Sequence, residues 1–278
     1  STPSTVLGVE KLVRYSLLAG NRALASYAYE EAVAHFRRGL AAKEGQPHVG
    51  AGQALPSGSQ GAASSAPTGR PLDAEAAALL FGLGRSQVAT LPVYQLQEAV
   101  SFLSRAFEYY AAVGDVDRAV AIASTPTPVA AGYRTGIAQL INRALALVPP
   151  DSLEEGRLLS LHGRLLGTEE GDYEGAQRAL DRAQAIAQRQ GDVALEMRAL
   201  TDAAETTGYR NLFQEALEKT LRATELAARA DDPRSEMLAN FWAAVIPISM
   251  GDPGQAERHA AASVAAAERL RHHFHLAR

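Results

Sequence analysis

The sequence has no cysteine, one tryptophan, and only three lysines, Lys11, Lys43 and Lys219. Without a thiol, disulfides and cysteine nucleophiles are excluded. None of the lysines follows the spaced glycines of a phosphate-cradling P-loop, so this stretch carries no such nucleotide site. No Gly-x-Ser-x-Gly elbow is present to present a nucleophilic serine. Basic and acidic residues number 27 and 31, for a net charge of −4, which gives none of the positive field that dominates nucleic-acid binding. No apolar run reaches the roughly 18 residues that a membrane span needs. The N-terminal region has no charged start followed by an unbroken apolar core, so no secretory signal is read and a cytoplasmic setting is expected. Aromatic residues are 6% of the chain while apolar residues are 47%, so the apolar content is mostly Ala and Leu. Such small side chains let helices approach closely.

What the chain does have is a repeat. Gly171–Asp192 reads GDYEGAQRALDRAQAIAQRQGD, a helix with small residues on one face between two Gly-Asp turns. The design returns as NLFQEALEKTLRATELAARADD and again as GDPGQAERHAAASVAAAERLR. Ala176, Ala216 and Ala256 therefore recur at intervals of forty residues, and Glu196-Met197 reappears as Glu236-Met237. A fixed period in this range marks stacked supersecondary units, none of which can bury its own apolar face.

Taken in order, residues 6–42 read as a helix pair turning near Ser26. Residues 45–71, GQPHVGAGQALPSGSQGAASSAPTGRP, are rich in Gly, Ser, Pro and Ala and nearly free of charge, so a flexible insertion is expected there. Asp73 caps a second pair, at 74–88 and 96–113. A third begins at Asp115 and is stopped by the prolines of Ser124–Pro128, with a partner helix over 135–148. Ser152 with Glu155 forms a capping box for the fourth pair. Asp192, Asp232-Pro233 and Asp252-Pro253 open later helices. On the helix after Leu212, Phe213, Ala216, Leu217, Leu221, Ala227 and Ala228 form an apolar stripe, and Glu215–Lys219, Glu218–Arg222 and Glu225–Arg229 form i,i+4 pairs. Pro247 predicts a kink within a helix rather than a strand. No segment alternates as a strand should.

The pattern Gly20, Tyr29, Ala32, Phe36, Gly39 in the first pair resembles the tetratricopeptide (TPR) repeat, as do Tyr173, Ala176, Leu180, Ala183 in the fourth and Ala204, Phe213, Ala216, Ala223 in the fifth. The period is near forty rather than the usual value, and the consensus Trp and terminal Pro are mostly absent. The segments LLAGNRALASYAYEEAVAHFRRGL, RALALVPPDSLEEGRLLSLHGRLLGTEEGDYEGAQ and GDVALEMRAL resemble the helical-repeat region of bacterial LuxR-type and MalT-like signalling ATPases and related cyclase–ATPase–repeat proteins. This resemblance implies an all-α, right-handed α-solenoid of about six TPR-like helix pairs, forming one repeat domain over residues 1–278. It implies a non-enzymatic sensor or interaction region of a transcriptional regulator, without a cofactor and without its own contact to nucleic acid or membrane. Its partner would be a protein or peptide, or a small-molecule effector. The fused ATPase and output domains would lie outside this chain, which reads as an excised segment; a stand-alone TPR adaptor is the alternative.

Other candidates are weaker. Gly82-Leu-Gly84 and Gly50-Ala-Gly52 are fragments of a dinucleotide fingerprint without a preceding strand, and read as helix packing and loop. His259, His272, His273 and His275 lack the i,i+4 spacing of helical metal ligands. Glu169, Glu170 and Asp172 read as a solvated rim, and Arg134, Arg143, Arg157 and Arg164 as solvent-facing, with a phosphate or acidic-partner patch as the other reading. The site expected instead is a groove lined by the first helix of each pair: Leu158, Leu161 and Leu165; Arg198, Thr201, Glu205 and Tyr209; Leu238, Phe241 and Val245.

Overall fold

A computed structural model describes residues 3–44, 72–128, 132–227, 229–230 and 232–270. Among these residues all regular structure is helical. The chain divides into two compact units, Ser1–Thr127 and Pro128–Arg278. The expected insertion at 45–71 and the segment after Leu270 lie outside the described residues. No described helix is long and apolar enough to cross a membrane.

Unit 1 comprises α1 (Pro3–Ala25), α2 (Tyr29–Glu44), α3 (Ala74–Thr90), α4 (Leu96–Ala112) and α5 (Val116–Ala123). Each packs on the next, and α1 also reaches α3. Its centre is Phe36, which is fully buried among Val13, Ala23, Ala32, Leu79 and Leu83. The ring lies so close to Gly20 and Gly82 that a Cβ on either would come within 2.6 Å and 2.4 Å of it. Glycine is required at both positions by space alone, and the Gly82-Leu-Gly84 fragment is therefore a packing device. Lys43 at the end of α2 clasps the start of α3, with Nζ 2.5 Å from Asp73 and 2.9 Å from Glu75.

Unit 2 comprises α6 (Ile137–Leu145), α7 (Leu153–Leu165), α8 (Tyr173–Gln190), α9 (Val193–Tyr209), α10 (Phe213–Ala227), α11 (Pro233–Ser249) and α12 (Ala256–Leu270). Here α7–α8, α9–α10 and α11–α12 are antiparallel neighbours joined by short turns. The leading helices also touch one another, α7 on α9 and α9 on α11. Ala176, Ala216 and Ala256 are all buried, each in the first turn of the second helix of its pair, so the forty-residue period is structural. The turns explain the period. Gly171, Gly191, Asn211 and Gly251 all have φ between 62° and 82°, the left-handed conformation that ends a helix. They stand twenty or forty residues apart, so each helix with its turn takes about half a repeat.

Caps open the helices where the sequence places them. The carboxylates of Asp73, Asp115, Asp172, Asp192 and Asp232 accept from the N–H three residues on, at 2.8–3.2 Å. Ser152 accepts from Glu155 N–H at 3.1 Å, but the Glu155 carboxylate accepts from Asp151 N–H at 2.6 Å, one residue earlier than a standard capping box. Three expectations need correction. The helix expected over 135–148 is only Ile137–Leu145, because Gly136 has φ 90° and Thr135 is occupied elsewhere. The fully buried line on α10 is Ala216, Thr220, Ala223 and Leu226, so of the expected stripe Ala216 lies at the centre while Phe213, Leu217, Leu221 and Ala227 are half-buried beside it and Ala228 is outside the described residues. Thr220 is accommodated by donating to Ala216 O at 2.8 Å. Arg222 turns to Glu225 at 2.9 Å rather than to Glu218. Pro247 lies in the last turn of α11, where the helix continues to Ser249.

Candidate functional site

The leading helices α7, α9 and α11 bring together an unusual set of side chains for an interior. α9 is the pivot: Leu195, Met197 and every residue from Ala199 to Gly208 are buried, although that run includes Asp202, Glu205 and three threonines. An unpaired buried charge is very costly, so each must be matched by a neighbour. Arg164 on α7 supplies the match. Its Nε lies 3.6 Å from Asp202 and its Nη1 3.7 Å from Glu205, while Ser160 Oγ donates to Asp202 at 2.6 Å. Burial pushes the Asp202 and Glu205 carboxyls above their usual range, against the pull of Arg164. For Arg164 the same burial works downward, but Glu205, Asp202 and Glu169 outweigh it and hold the guanidinium firmly charged.

A second cluster joins α9 to the start of α11. Arg198 Nη2 pairs with Asp232 at 2.6 Å, and its Nε donates to Ser235 Oγ at 3.4 Å. Ser235 in turn donates to Asp232 at 2.6 Å. Burial raises the Asp232 pKa, yet the Ser235 hydrogen bonds and Arg198 bring it below the ordinary carboxylate value. Arg234 sits between Asp232 and Ser235 in the first turn of α11. Burial, with Arg164 and Arg198 nearby, pulls its pKa down to about 10.

Toward the other end of the same helices lies an aromatic set. The Tyr209 and Trp242 rings meet edge to face at 5.8 Å, and Phe241 meets Trp242 at 5.4 Å. Tyr209 is 44% exposed and Phe241 and Trp242 are half-buried. Behind them Arg210 stacks 3.8 Å over Tyr173, whose hydroxyl donates to Thr206 O at 2.5 Å.

The residues expected to line a groove thus divide. Arg198, Tyr209 and Phe241 are partly or well exposed. Thr201 and Glu205 are not: Thr201 is buried with its hydroxyl donating to Met197 O, and Glu205 is buried against Arg164. Leu158 and Leu165 are wholly buried, whereas Leu161, Leu238 and Val245 keep partial exposure. The rim reading of Glu169 is also corrected. It is buried in a π-helical turn at Leu166–Glu170 and accepts from Thr135 N–H and Oγ1, each at 2.9 Å, tying the entry of α6 to the end of α7. Burial raises its pKa despite those bonds. The four central arginines do not form one patch. Arg134 pairs with Glu170, Arg157 with Asp192, and Arg164 lies inside.

Asp202 and Arg234 escaped sequence reading. A signal for the first existed: Asp202 and Glu205 are like charges at i,i+3, and Glu205 has no basic residue within a turn of α9. Such a pair calls for a cation from another helix. Of the histidines singled out, His259 is buried on α12 and meets Asn240 on α11 through Nδ1 at 3.1 Å; the other three lie outside the described residues. Gly50-Ala-Gly52 lies outside them too. No family model matches the chain, and no curated protein matches it.

Proposed function

We propose that this protein is a non-enzymatic interaction or effector-sensing domain, built as a right-handed α-solenoid of about six TPR-like helix pairs. It binds a peptide, a protein segment or a small ligand along the leading helices of unit 2. The observation that carries the reading is the pairing of half-exposed Tyr209, Phe241 and Trp242 with the Arg198–Asp232 cluster on the same two helices. Rigid aromatic rings beside a directional charged cluster are what recognition surfaces concentrate. The buried carboxylates Asp202, Glu205 and Glu169 are engaged by Arg164, Ser160 and Thr135, which supports architecture rather than acid–base work for them. As part of a LuxR-type or MalT-like regulator, the domain would bias a fused ATPase through this binding. A stand-alone adaptor would use the same face, and the reading frame on either side of the segment separates the two.

Trp242, the only tryptophan, reports on the face directly. A random-sequence peptide library should yield binders that shift Trp242 emission and lose about tenfold or more in affinity to the Tyr209→Ala/Phe241→Ala variant. A library that yields no binder, or binders indifferent to both substitutions, removes the proposal.

A further inference from the structure

Within each unit a trailing helix packs on the leading helix that follows it: α2 on α3, α8 on α9 and α10 on α11. The leading helices share a register. Ala203 and Ala243 stand thirteen residues before the first-turn alanines Ala216 and Ala256, as Ala19 stands thirteen before Ala32. Four before, one before and three after this position, α9 has Ala199, Asp202 and Thr206, and α11 has Ala239, Trp242 and Ile246. All but the half-buried Trp242 are buried. On α1 the same positions are Tyr15, Leu18 and Arg22, and all three are exposed, the first two by 63% and 64%. The first leading helix thus leaves open a side that later leading helices cover. With Lys11 these residues stand at i, i+4, i+7 and i+11, one stripe of α1 that is basic at both ends and apolar in the middle. The last trailing helix carries the complement at the same spacing. Glu257, Ala261, Val264 and Glu268 of α12 are all exposed, acidic at both ends and apolar in the middle. Large side chains on α1 face small ones on α12 in such a match, and each cation faces an anion. Arg14 lies beside the α1 stripe and adds to its charge, while Glu10 is on the far flank; Arg258 lies off the α12 stripe, and Arg269 is held by Glu236 at 2.6 Å.

We propose that the chain associates with a second copy of itself head to tail, the Lys11–Tyr15–Leu18–Arg22 stripe of one copy packing on the Glu257–Ala261–Val264–Glu268 stripe of the next. Like stripes do not pair. Two α1 stripes would set Lys11 and Arg22 against cations, and two α12 stripes would set carboxylates against carboxylates, which costs affinity and excludes those arrangements. Both stripes read the same from either end, so the match holds whichever way the two helices run. A contact between two different surfaces leaves one of each free on a pair of copies, so it continues past two. A helix face of this length, about 16 Å, buries less than the roughly 800 Å² per partner of a standard stable complex. Association is therefore weak, and because its charges are exposed it is screened by salt.

The test is sedimentation equilibrium on the full chain. At about 20 mM salt and up to about 1 mM protein, the weight-average mass of the wild type should pass that of a dimer, and about 0.5 M sodium chloride should return it toward a monomer. Lys11→Glu/Arg22→Glu makes both stripes acidic, and Glu257→Lys/Glu268→Lys makes both basic. Each variant alone should associate about tenfold or more weakly than the wild type. Mixed in equal amounts they complement each other at both contacts, so the mixture should regain association, which misfolded variants would not do. Leu18→Gln, a neutral change at an exposed position, should weaken association without altering its salt dependence. Four results would overturn the proposal: a wild type that stays monomeric under these conditions, a mass that levels off at two copies, a double variant that associates undiminished on its own, or a mixture of two folded variants that remains monomeric.

Discussion

Unit 1 and unit 2 solve the same packing problem with different materials. In unit 1 the described side chains that are buried are apolar or neutral, with Phe36, Leu79, Leu80, Leu83, Leu103 and Phe107 at the centre and Ser16, Ser86, Gln87, Thr125 and Thr127 as the polar exceptions. In unit 2 the helices meet through alanines, and the interior also takes in Arg164, Glu169, Asp202 and Glu205. Apolar burial stabilises without direction, at roughly 25 cal/mol per Å². Buried ion pairs rarely improve on an apolar core in stability, but they fix geometry. The difference teaches where geometry is set by directional contacts: the leading helices of unit 2 keep charges inside against this thermodynamic disadvantage, and each is matched by a group on another element.

Removing the centre of unit 1 should have the largest effect. Phe36→Ala empties the space that Gly20 and Gly82 leave for the ring, and a loss of about 3–5 kcal/mol in urea unfolding is expected. A loss below about 1 kcal/mol would mean that unit 1 does not depend on this contact.

Somewhat smaller is the effect of Arg164→Leu, about 3 kcal/mol, because it strands two buried carboxylates. The comparison between units is sharpened by the triple variant Arg164→Leu/Asp202→Asn/Glu205→Gln. It should recover most of the loss, since neutral amides bury at far lower cost than unpaired anions. If the triple variant is no more stable than the single one, the charges are not what holds α7 to α9.

The smallest effect is a pH slope. Burial lowers the pKa of His162, with Asp172 and Glu170 opposing, and lowers that of His259, with Arg258 reinforcing. Asn240 Nδ2 donates to Glu236 O, so its carbonyl oxygen faces His259 and the ring carries its proton on Nδ1. A second proton would go to Nε2, which is buried without a partner. A base whose native pKa is depressed binds fewer protons when folded. Its contribution is therefore full above the unfolded value of 6.5 and is lost as pH falls through that value toward the native one. Asp202, Glu205 and Glu169 have raised pKa values, so their contribution runs the other way and improves on further acidification. Tm should accordingly drop from pH 7 to just below 6, and His259→Gln should flatten that drop. An unchanged slope would show that His259 titrates freely.

The helices were legible because their boundaries are local. An aspartate at the N-cap, a glycine in the left-handed region and a proline in the first turn each act within a few residues, and Asp73, Gly191 and Pro233 could be read one at a time. The site was only half legible because burial is not local. Glu205 has the side chain of a surface residue, and what places it inside is Arg164, forty-one residues earlier on another helix. Glu169 looked like one of several turn carboxylates until the π-helical turn carried it inward toward Thr135. Tyr209 and Phe241 do keep exposure, but an aromatic ring at a leading-helix position does so whether it packs or binds.

The regular placing of Gly171, Gly191, Asn211 and Gly251 has a consequence for how such a chain can change length. Excising forty residues between equivalent turns, for example 192–231, would rejoin the chain pointing the same way, with Asp232 capping α11 in place of Asp192 at α9. Excising twenty would reverse the direction of every helix downstream and turn the small-residue faces outward. Growth and loss by whole pairs thus keeps the chain direction. A shortened protein lacking α9 and α10 would nevertheless lose Arg198 and Tyr209 together, and would leave buried Arg164 facing Trp242 and Val245 in place of Asp202 and Glu205. It should fold well only with Arg164→Leu added.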